Sequence, residues 1–91
     1  MLYMHCQVRF TDYSKWRATM DADGPAQREA GIFLKHLWRG IDDQSVAFFV
    51  CEVRDRERAA AFLNPADVSE AQKNAGASDF QWFFVEDVTH E

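Results

Sequence analysis

Long apolar runs are missing from this chain, and that absence removes the first class of function. A transmembrane helix needs about 20 consecutive apolar residues, whereas the longest run here is Val46–Cys51. The opening Met1–His5 lacks the charged start, apolar stretch and small-residue cleavage site of a secretory signal, so the expected location is cytoplasmic. Cysteine is scarce: Cys6 and Cys51 are too few and too far apart for a zinc motif or a disulfide scaffold, and both sit in apolar surroundings that suit buried free thiols. Positive charge is short as well. Ten Lys and Arg against fifteen Asp and Glu give a net charge of -5, the wrong balance for neutralising phosphates. Arg54, Arg56 and Arg58 alternate with Asp55 and Glu57 and read as a solvated face.

What is present is a single domain, residues 1–91, with 47% apolar residues. A chain of this length buries only about 60% of the surface its unfolded form exposes, so self-association would add useful burial.

The first strand is read from alternation. Leu2, Met4, Cys6, Val8 and Phe10 fall on one side, and Tyr3, His5, Gln7 and Arg9 on the other. Asp12 then offers a helix cap, and Tyr13, Trp16 and Met20 recur at helical spacing until Asp23-Gly24-Pro25. Residues 26–30 allow one more helical turn before Gly31. A second strand follows over Ile32–Arg39, then a hairpin loop over Gly40–Gln44. The third strand, Ser45–Arg54, and the last, Phe80–Val88, carry apolar side chains on both faces. Between them Asp55 caps a helix with Ala59, Phe62 and Leu63 as its inward stripe, and Asn64-Pro65 restarts a helix through Val68, Ala71 and Ala75 to Gly76.

The order is βαββαβ, an α+β ferredoxin-like arrangement of one four-stranded antiparallel sheet, strand order 4-1-3-2, with the helices on one face. Helices on one face leave the other uncovered. Two strands that are apolar on both sides therefore predict a homodimer.

These residues resemble the dimeric α/β-barrel superfamily, and within it the small bacterial cyclase-like and monooxygenase-like proteins. The resemblance spans nearly the whole chain. It rests on Tyr13-x-x-Trp16, Gly31-Ile32, Trp38-Arg39-x-x-Asp42-Asp43 and Glu52-Val53-x-Asp55 leading to Ala60-x-Phe62, followed by Asn64-Pro65-x-x-Val68-x-x-Ala71-x-x-x-Ala75-Gly76. It implies two sheets packed face to face as a barrel, a cavity between sheet and helices in each subunit, and in many members chemistry on aromatic or polycyclic substrates without metal or flavin. No catalytic set carries over onto this chain residue by residue.

His36 is the candidate general base, because its expected neighbours Leu34 and Trp38 would hold an imidazole in apolar company. Trp16, Tyr13 and Trp38 are candidates for an aromatic wall against a flat ligand, with His5 on the polar side of the first strand and Arg39 as a possible carboxylate anchor. Trp16 and His36 are expected to border one cavity that takes a flat aromatic acid or a quinone-like compound. The bland alternative assigns all of these to core and rim, with Arg39 pinning the hairpin beside Asp42 and Asp43. No metal and no cofactor are expected: His5 and His36 lack a third ligand, and Asp21-Ala22-Asp23-Gly24 lacks the further acids of a calcium loop.

Three functions follow in order. The first is a homodimer binding a small organic molecule, as a cofactor-free isomerase, cyclase or monooxygenase. The second is a non-catalytic ligand-binding or structural dimer. The third, an RNA-recognition-like module using aromatics on the first and third strands, is opposed by Gln44-Ser45 at the start of the third strand, by Asp42 and Asp43, and by the acidic balance.

Overall fold

The structure, a computed structural model, describes residues 1–91. Strand β1 (Leu2–Phe10) is followed by helices α1 (Tyr13–Ala22) and α2 (Gly24–Glu29) and by strands β2 (Ile32–Arg39) and β3 (Val46–Val53). Helices α3 (Arg56–Phe62) and α4 (Pro65–Ala75) and strand β4 (Ala77–Glu86) complete the chain. The sheet order β2-β3-β1-β4 is the ferredoxin-like one, with all three pairings antiparallel. The smallest dimension, 19 Å, is that of one sheet and one helix layer. No helix is long and apolar enough to cross a membrane.

Local chemistry explains why each crossover holds two short helices. Asp12, Asp55 and Asn64 accept backbone N–H bonds at the starts of α1, α3 and α4. Pro25 and Pro65 lie in the first turns of α2 and α4, where the missing N–H is harmless and the preceding helix cannot continue. Three glycines are needed sterically, the first being Gly31 just before β2 at φ 80°. Gly76 ends α4 at φ 67°, in the left-handed region. At Gly40 a Cβ would sit 2.1 Å from the Asp43 carbonyl oxygen.

The core is mainly the helix-facing side of the sheet: Met4, Cys6, Val8 and Phe10 of β1, then Ala47, Phe49, Cys51 and Val53 of β3, with Ile32 of β2. Of the side chains on the helical crossovers only Trp16, Ala59, Leu63 and Ala75 are buried, and two of these are alanines. Phe62 departs from the expected inward stripe and is 37% exposed, because α3 ends there and the chain turns away into Asn64-Pro65. Strand β4 begins three residues earlier than its aromatics suggested, since Ala77 and Ser78 already pair with Phe10 and Arg9.

The uncovered face is laid out in rows. Tyr3 stands between Glu52 and Val85, His5 between Val50 and Phe83, and Gln7 between Phe48 and Gln81. Strand β2 extends the rows with Phe33 beside Glu52, His36 beside Val50 and Trp38 beside Phe48. Apolar side chains on both faces of β3 and β4 are thus as expected, and Phe83 and Trp38 are 58% and 48% exposed.

Candidate functional site

The helix layer is thin, and space remains beneath it. A cavity of about 450 Å³ lies between sheet and helices, within the range of small-molecule sites. Its floor is Met4 and Val8 of β1 with Phe49 and Cys51 of β3. Trp16 and Met20 wall one side from α1, and Val68, Ala71 and Ala75 wall the other from α4. Phe80 of β4 closes one end and Phe62 stands at the rim. The small side chains at 71 and 75, one turn apart on α4, leave the volume that a larger pair would fill.

Trp16 is 6% exposed and lies in an aromatic cluster, stacked on Phe10 at 5.3 Å between ring centroids and tilted against Phe49 at 6.2 Å. Tyr13 adjoins it at 6.1 Å but is not part of the cavity lining. Instead Tyr13 is covered by the Arg39 guanidinium, 4.6 Å from the ring centroid. Arg39 Nε also donates to the Gln44 carbonyl at 2.7 Å. Arg39 therefore does hold the hairpin, though not through Asp42 or Asp43. Asp43 is engaged by Arg9 Nη1 at 3.0 Å and by the Ser45 N–H and hydroxyl. These donors, Ser45 before Arg9, hold the Asp43 carboxyl down at about 2.

His36 does not border the cavity. A register shift between Leu34 and His36 inserts one residue into β2, so Leu34 pairs with Cys51 on the helix side while His36 pairs with Val50 on the open side. The expected common parity of Leu34, His36 and Trp38 is thereby broken. His36 and Trp38 stay together on the open face with rings stacked 5.2 Å apart. Lys35, at the irregularity, reaches Glu52 at 3.3 Å. His5 shares that face, one strand beyond Val50. Of the six residues singled out in the sequence, only Trp16 lines the cavity. Trp38, His5 and His36 form part of the open face, and Tyr13 and Arg39 pack at the hairpin end of the helix side.

Cys51 lines the cavity and Cys6 is wholly buried beside it in the core. Burial pushes the Cys51 thiol up to about 11, and burial together with Cys51 pushes Cys6 further still. Neither thiol is activated as a nucleophile. No group of three or more His, Cys, Asp or Glu stands close enough together to hold a metal ion. The cavity floor escaped the sequence reading because Met4, Val8 and Phe49 look like any core strand residues. The one available signal was the Ala71-x-x-x-Ala75 spacing on a helix facing aromatic strands.

No family model matches the chain, and no relative is found among the curated proteins. Solved structures do match. A protein from Bordetella bronchiseptica named for antibiotic biosynthesis monooxygenases superposes with a TM-score of 0.71 at 16% identity, covering 96% of this chain and 97% of that one. SnoaB of Streptomyces nogalater, a cofactor-independent oxygenase, gives 0.67 at 12% identity over 99% and 97% of the two chains. A NIPSNAP domain protein from Burkholderia xenovorans gives 0.64 at 13% identity over 99% and 97%. Over nearly its whole length, the chain shares the ferredoxin-like α+β fold of these solved structures.

Proposed function

We propose that the protein is a homodimer whose open sheet faces pack together and whose subunits each bind a small, flat, largely apolar organic molecule between sheet and helices. The observation that carries this reading is the apolar cavity of about 450 Å³ bordered by Trp16. The fold shared with a cofactor-independent oxygenase supports chemistry of oxygenase, isomerase or cyclase type on the bound molecule. Within the cavity no histidine, lysine or arginine pairs with a carboxylate as base and acid. The protein's part in such a reaction is therefore to exclude water and to orient a substrate that supplies its own reactive atoms. That same absence favours, as a second reading, a binding protein without catalysis.

Binding is tested with 2-naphthylmethanol, followed by tryptophan emission. A two-ring body burying roughly 300 Å² gains about 7 kcal/mol, of which association takes at least about 4, so saturation is expected in the range of about 1–10 mM. Ala71→Phe, which projects a ring into the cavity from an otherwise exposed helix position, is expected to weaken binding at least about tenfold. Undiminished binding to Ala71→Phe, or no binding to the native protein, would remove the cavity as the site.

A further inference from the structure

The polar residues of the cavity are Thr19, Asp23, Gln27, Asp67 and Gln72, and no positively charged side chain joins them. The two carboxylates are also free. Asp23 occupies the cap position of α2 without its side chain bonding to the helix, and the cap of α4 is made by Asn64, leaving Asp67 uncommitted in the first turn. None of the ion pairs of the chain uses either residue. Both carboxylates are exposed and stand at the rim of the apolar space, and as its only charges they attract a cation and repel an anion.

If the cavity is the binding site proposed above, we propose that it selects molecules with a flat apolar body and a protonated amine head group, and that it rejects the carboxylic acids of the same shape. The rings lie against Trp16 and Phe49, and the ammonium is held at the acidic rim by Asp23 or Asp67. This reverses the head-group charge expected from the sequence, where Arg39 stood as a carboxylate anchor. Arg39 is spent on Tyr13 and the Gln44 carbonyl and does not line the cavity.

The test compares three ligands with one body: 2-naphthylmethylamine, 2-naphthylmethanol and 2-naphthoic acid, titrated at low and at moderate salt. The amine is expected to bind at least about tenfold more tightly than the acid, with a margin that shrinks as salt rises. Replacing both carboxylates, Asp23→Asn with Asp67→Asn, is expected to bring the two affinities within about twofold. The charge-matched control, Asp42→Asn with Asp87→Asn, lies away from the cavity and is expected to keep the tenfold margin, which separates local recognition from the net charge of -5. An acid that binds as well as the amine overturns the selectivity and leaves the cavity standing, since the alcohol still binds. A margin that survives Asp23→Asn with Asp67→Asn overturns the role of these two residues. Failure of all three ligands, the alcohol included, overturns the cavity reading itself.

Discussion

Trp16 and His36 lie on opposite faces of one sheet. Trp16 packs under the helices against Phe10 and Phe49, while His36 stacks on Trp38 on the uncovered side. One inserted residue in β2 decides this, because side chains alternate with a period of two and a single slip exchanges the faces of everything beyond it. The consequence is functional. The aromatic that borders the cavity and the histidines that suggested acid-base work belong to two different surfaces, the helix-covered face of the sheet and its open face.

The open face makes the first prediction. Phe83 and Phe48 stand on it, whereas Phe49 faces the core. Phe83→Asp is expected to yield a folded monomer by sedimentation at micromolar concentration, with circular dichroism unchanged. Phe49→Asp is expected not to fold, since an unpaired carboxylate would replace a buried ring. A native protein that sediments as a monomer would count against the homodimer.

Asp43 supplies a prediction in pH. Its carboxyl is held at about 2 by Ser45 and Arg9, against an unfolded value of about 3.9. A depressed folded value means that the carboxylate's contribution to stability is complete above pH 4 and is lost as pH falls towards 2. Carbon-detected carboxyl titration is expected to find Asp43 below the ordinary aspartate range. Asp43→Asn is expected to flatten the fall in denaturation midpoint between pH 4 and pH 2.

Both thiols are expected to resist modification in the native state. With the Cys51 thiol up at about 11 and Cys6 above that, reaction with a disulfide reagent at pH 7.5 is expected to run roughly one to two orders of magnitude slower than for an ordinary exposed cysteine. Addition of denaturant is expected to release two fast-reacting thiols per chain. Fast native reaction at Cys51 would show that its thiolate is stabilised within the cavity.

Gly76 offers a test of the crossover into β4. Its φ of 67° and a Cβ that would approach Thr11 Oγ1 to 3.0 Å make Gly76→Ala costly by about 1–2 kcal/mol, read from urea denaturation. Ala75→Gly, one residue earlier and within the helix, is expected to destabilise by another route, through a lost buried methyl group and a more flexible helix backbone. The two variants are therefore expected to differ when Thr11→Ala is added, which removes the close contact and partly rescues only Gly76→Ala.

The order of elements was open to reading in the sequence because its determinants are local. The alternation of β1, the caps at Asp12, Asp55 and Asn64, the prolines at 25 and 65 and the left-handed Gly76 each act within a few residues of themselves. The doubled apolar faces of β3 and β4 were equally legible, since both parities are written in the strand. Tertiary structure alone decided the site. A cavity is the space that packed elements fail to fill, and whether Ala71 and Ala75 leave a void depends on how far α4 stands from Met4 and Phe49 across the chain. The face taken by His36 depended on an irregular pairing with β3, a relation between two strands that no stretch of either one records.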